Sequence, residues 1–199
     1  MAACETVPLT FARSAPIEFC EVASMSMELL AADYYDEFYD EADAARAKRE
    51  ALERPIQFLP WMATIDGFQH WLYTHPTHTR EERTACWLSL MDRFSLKLVD
   101  WTGYEDARAA RWQAQTHLFG VPFYYVEYGI AQLGALQIWS RARKNRAKAI
   151  ADYRNALALG GTRPLPELFA AAGIKFDFSR DTIAPLIDTA REELDKLPD

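Results

Sequence analysis

The sequence predicts an all-α protein: a multi-helix bundle in which residues 1–199 form a single helical domain and residues 1–13 are irregular. Three observations carry that prediction. Apolar residues recur at three- and four-residue spacing. Helix boundaries are marked by Pro16, Thr79-x-x-Glu82, Pro122, Gly160-Gly161, Gly173 and Ser179. The one alternating stretch, IKFDF at 174–178, is too short and isolated to build a sheet.

Taken in order, Ser14-Ala15-Pro16 sets a proline near the first helical position. From there Ile17, Cys20, Val22, Ala23, Met25, Met27, Leu29 and Leu30 carry an apolar surface into the acidic, aromatic run YYDEFYDEADAARAKREALE. Pro55 interrupts, and a second helix follows over about 56–73, with Pro60 bending it or marking its true start. THPTHT (74–79) reads as a loop, and Thr79 opens a capping box with Glu82 ahead of WLSLMDRFSLKLVDW. Gly103 closes that segment, and a short helix covers roughly 105–115. HLFG (117–120) is a break before Pro122 opens a long helix to about 159, stopped by Gly160-Gly161. A short helix over 164–172 ends at Gly173, and Ser179 caps a last one to about 197.

Half the residues are hydrophobic, enough for one substantial core. The net charge of −7 argues against binding a phosphate backbone, so no nucleic-acid partner is expected. RARKNRAK (141–148) lacks interleaved aromatics and reads as a solvated helical face. Cys4, Cys20 and Cys86 are scattered and odd in number, which suits reduced thiols and a cytoplasmic protein. No secretory pattern is visible, and no apolar run approaches the roughly 20 residues a bilayer requires, so no membrane partner is expected.

Two segments carry chemistry. In EFCEVASMSME (18–28), Glu21 and Glu28 stand seven apart and stack on one helix face with Ser24 between them. The plain reading is a solvated face; the neighbouring Ala and Met suggest a half-buried one, where a carboxylate needs a partner. In HLFGVPFYYVEY (117–128), three tyrosines follow one histidine. Buried phenols need hydrogen-bond partners, so this is either a polar-lined cavity or an aromatic seam with its hydroxyls at the surface. His75 and His78 flank Pro76 in a loop, a poor geometry for a ligand pair. The acidic run 33–43 lacks the glycine and spacing of a calcium loop.

The segments IEFCEVAS, HxxxxPFYYVEYGIAQ and GGTRPLPELFAAAGIKFDF, in this order and at these separations, resemble the oligoendopeptidase F and thimet oligopeptidase family of zinc metallopeptidases. The resemblance runs from near Phe11 to about Leu197. It implies the C-terminal part of a helical, zincin-type channel domain that admits short peptides. In that family zinc is held by two histidines of an H-E-x-x-H helix and a glutamate from a following helix, and the glutamate inside H-E-x-x-H is the general base. The resemblance places the glutamate ligand at Glu21 and a carboxylate orienting a ligand histidine at Glu28. It places donors to substrate and oxyanion at His117, Tyr125 and Tyr128, with Tyr124 a further substrate-binding candidate. No H-E-x-x-H occurs in the 199 residues, whose histidines are His70, His75, His78 and His117. The expectation is therefore a part of a peptidase that neither turns over peptide nor retains zinc by itself. Its expected partners are the missing N-terminal part or a second copy, meeting the exposed Glu21 face. The alternative is a non-catalytic helical module that binds peptides or a partner protein.

Overall fold

Pro16 stands at the N-cap of the first helix, α1 (Ile17–Ala31). Its carbonyl accepts from the Phe19 and Cys20 amides, and it has no N–H to leave orphaned. The structure is a computed structural model that describes residue 4 and residues 6–198, and among those residues the regular structure is helical with no strand. A 3₁₀ turn (Ala32–Glu37) leads to α2 (Glu41–Thr74), α3 (Arg80–Phe94), α4 (Glu105–Ala110) and a 3₁₀ turn (Arg111–Ala114). One helical turn, α5 (His117–Gly120), precedes α6 (Val126–Lys144), α7 (Arg146–Ala158), α8 (Leu165–Ala171) and α9 (Arg180–Leu194). The all-α expectation holds.

The structure differs from the sequence reading at several places: Thr10–Arg13, expected irregular, form a 3₁₀ turn, HLFG, expected as a break, is the helical turn α5, and the helix expected from about 56 starts at Glu41. α2 runs unbroken through Pro55 and Pro60. Each proline removes one ladder bond; the Pro55 ring is fully buried, and Thr64 Oγ1 donates to the Pro60 carbonyl at 2.9 Å. The helix expected to open at Pro122 begins at Val126, because Phe123 adopts a left-handed backbone (φ 59°) that no helix can carry. The single helix expected from there to about 159 is two, since Asn145 leaves helical geometry and accepts from the Lys148 amide as the N-cap of α7.

Two local signals fall where expected. Thr79 and Glu82 form a reciprocal capping box at 3.2 and 2.8 Å. Gly160 takes φ 54°, and a Cβ on Gly161 would lie 2.3 Å from the Ser14 carbonyl oxygen, so the chain passes where only glycine fits.

The chain divides into two compact units, one comprising the residues up to Pro55 and from Ile130 onward, the other Ile56–Gly129. The core of the first joins Phe19, Val22, Ile138, Tyr153, Leu168 and Phe169 to a set of alanines. At Gly134 an added Cβ would come within 2.8 Å of Val22 Cγ2, which shows how closely α6 passes its neighbour. The extended 174–178 segment needs no strand partner, because the Gln137 side-chain amide both donates to and accepts from the Lys175 backbone (3.0 and 2.9 Å). The core of the second unit is aromatic. Phe68 and Trp87 are fully buried among Trp61, Trp112, Leu118 and Tyr125, and the Trp87 indole donates to the Arg108 carbonyl at 2.9 Å.

Candidate functional site

Phe123 takes its left-handed backbone in the turn between α5 and α6, the stretch that holds the candidate rings. His117 lies in α5, Tyr124 and Tyr125 in the turn, and Tyr128 in the first turn of α6. The structure brings them together. The His117 ring is 5.0 Å from Tyr125, 5.8 Å from Tyr128 and 6.0 Å from Tyr124, lying nearly parallel to the last. Tyr128 meets Tyr124 and Tyr125 edge-on at 5.5 and 5.7 Å. Tyr124 therefore belongs to the cluster rather than to aromatic packing elsewhere.

Two residues that the sequence did not single out hold this cluster. Trp61 of α2 donates from Nε1 to Gln115 Oε1 at 3.3 Å, and Gln115 Nε2 stands 2.7 Å from His117 Nδ1. Burial pushes the Tyr125 phenol up, with the Trp61 N–H pulling in the opposite direction. The phenol is thus a neutral O–H donor across a wider alkaline range than a free one. The only sequence signal for Gln115 was its place two residues before His117; the link to Trp61 spans 54 positions.

Trp61 also walls a cavity of about 820 Å³ in this unit, together with Leu88, Met91, Phe94, Trp101 and Arg108. The Arg111 guanidinium lies over both Trp61 and Trp101, 5.1 and 5.6 Å from the ring centres. This concave, mostly apolar space was not expected from the sequence.

Glu21 and Glu28 share α1 in the first unit, where their surroundings differ. Glu21 is half-buried, and the Ser24 hydroxyl is shared between its backbone carbonyl (3.2 Å) and its carboxylate (3.4 Å), within its own turn. That weak local bond leaves most of its lone pairs open. Glu28 is exposed and pairs with Arg54 at 2.8 Å, while Arg54 also reaches Glu50. Burial first and the Glu28 charge second push the nearby Tyr35 phenol up. Among the described residues no three of His, Cys, Asp and Glu gather into a metal-binding group.

Comparison with known proteins gives a consistent result. The chain is similar to a solved structure assigned to oligoendopeptidase F, with 32% identity and a TM-score of 0.80 over 92% of this chain and 32% of that one. It is similar to PZ peptidase A, solved with an inhibitor, at 30% identity and a TM-score of 0.84 over 92% of this chain and 33% of the other. A third structure, assigned to oligoendopeptidase F from Bacillus anthracis str. Ames, is 29% identical with a TM-score of 0.73, covering 29% of that chain. The chain thus spans about a third of the length of the structures it matches. No curated protein is a significant match. The model of peptidase family M3 matches residues 2–186, nearly the whole sequence, and the chain belongs to that family.

Proposed function

We propose that this chain is the substrate-binding part of an oligoendopeptidase F-like zinc metalloendopeptidase that hydrolyses short peptides. The convergence of His117 with the Tyr124, Tyr125 and Tyr128 rings, in a chain of family M3, carries this reading. Imidazole and phenol donors gathered around one point suit a peptide carbonyl, where they stabilise the charge that develops on its oxygen. Removing one such donor in other hydrolases costs about 10²–10³ in kcat. Tyr125 and Tyr128 take that role with His117, and Tyr124 lines the bound peptide.

In the complete enzyme zinc would supply the activated water. Of this chain's residues Glu21 would hold it, and Glu28 would exchange Arg54 for a ligand histidine. With no H-E-x-x-H in the sequence and one candidate ligand, residues 1–199 alone do not turn over peptide in this proposal. Cytoplasmic residence is part of the same reading. None of the described helices is long and apolar enough to cross a membrane. The α1 surface, where Ile17, Cys20 and Met27 are exposed, is the face by which the chain would meet the rest of a peptidase or a second copy.

The test is to incubate the chain with a quenched peptide and zinc, with and without an H-E-x-x-H-bearing segment of an oligoendopeptidase F. Chelator-sensitive cleavage is expected only with the segment, falling about 10²-fold or more in Tyr125→Phe. Cleavage by the chain alone, or cleavage indifferent to both Tyr125 and His117, would overturn the proposal. A binding module without chemistry would bind peptide and never cleave it, with or without the segment.

A further inference from the structure

We infer that Gln115 is a positioning residue that locks His117 in one tautomer, with its proton on Nε2. The Trp61 indole N–H only donates, so the Gln115 atom facing it at 3.3 Å must be the carbonyl oxygen. The same N–H also bears on the Tyr125 oxygen, but sharing it leaves the amide orientation unchanged, because an NH₂ turned to the indole would set two donors face to face. The amide NH₂ then faces His117 Nδ1 at 2.7 Å. An NH₂ has nothing to accept with, so Nδ1 is the acceptor and the neutral imidazole carries its proton on Nε2.

Trp61 is itself held. One ring contact is the edge-on packing against buried Trp87 at 5.9 Å, another is the Arg111 guanidinium at 5.1 Å. Orientation therefore passes from the aromatic core through an indole and an amide to the imidazole. The ring turns an N–H, and no lone pair, to whatever lies beyond Nε2. Such a histidine donates to a carbonyl oxygen. It neither ligates a metal nor accepts a proton through Nε2. Its part in peptide hydrolysis rests on the function proposed above; the tautomer rests on the hydrogen bonds alone.

The test is nitrogen NMR on the ¹⁵N-labelled chain at a pH well above the ordinary imidazole range, with the His117 signals identified by their loss in His117→Asn. The wild type should show protonated Nε2 and unprotonated Nδ1. In Gln115→Glu a carboxylate accepts from both neighbours, and the proton should move to Nδ1. In Trp61→Phe the amide is free to turn, and both tautomers should appear. Protonated Nδ1 in the wild type would sink the inference even if neither variant folds. So would an unchanged tautomer in Gln115→Glu that keeps wild-type helix content. None of these readouts involves cleavage. Failure here is separate from failure of the peptidase reading, which the zinc assay decides.

Discussion

The two units are built from different materials. In the first, Ala131, Ala142, Ala149, Ala156 and Ala172 pack with Phe19 and Phe169, and Gly134 lets α6 pass close to Val22. The second sets Phe68 and Trp87 among Trp61, Trp112 and Tyr125. Alanine and phenylalanine interiors hold helices close but carry few polar handles. An interior of indoles and phenols has heteroatoms that must be satisfied, and each hydrogen bond made for that purpose aims a neighbour. Trp87 fastens the Arg108 carbonyl and Trp61 orients Gln115, so the core of the second unit reaches the candidate site directly. In the first unit Tyr153 does something comparable, its hydroxyl donating to the Ala23 carbonyl of the helix that bears Glu21.

Substitutions of opposite sense should separate these designs. The largest effect is expected for Trp87→Ala. It empties the centre of the aromatic core and removes the indole bond to the Arg108 carbonyl, which keeps the Arg111 amide as a donor, at a cost of about 3–5 kcal/mol by urea unfolding. A loss below about 1 kcal/mol would mean that the aromatic unit is not held by packing at Trp87.

Next comes the alkaline limb of Tyr153. Burial pushes its phenol up to about 12. The folded state therefore holds that proton more tightly than the unfolded chain, whose tyrosines titrate near roughly 10. The resulting stability is complete below that value and is lost as pH rises through about 12. The difference corresponds to about 2–3 kcal/mol. Unfolding measured from neutral to strongly alkaline pH should show the gap between wild type and Tyr153→Phe closing over that window. A gap constant with pH would show the phenol to be solvated.

Third is Gly134→Val. It overfills the close-packed unit and should cost about 1–3 kcal/mol, whereas a neutral result would mean that α6 can move away from Val22. The smallest effect, about 1 kcal/mol, is expected for Thr79→Ala, which removes a cap independent of either core. It calibrates the others: if it matched Trp87→Ala, the aromatic core would have no special weight.

Local chemistry was readable from the chain alone. Thr79 with Glu82, Gly160-Gly161, Gly173 and Pro16 each act within a few residues, so their types announce their geometry. The grouping of His117 with its tyrosines was readable for the same reason, all four lying within twelve positions. Asn145 could have been read as an N-cap, but the good helix formers Arg, Lys and Ala on either side of it masked the break. The continuity of α2 through two prolines was not readable, because the fully buried Pro55 ring gains packing that the local rule does not include. Nor was the start at Val126, since a phenylalanine with φ 59° contradicts its own preference. Trp61 and Gln115 lie furthest from sequence reasoning. Sequence decides which atoms donate and accept, but a hydrogen bond across 54 positions, and the tautomer it imposes, exists only once folding has set an indole beside an amide.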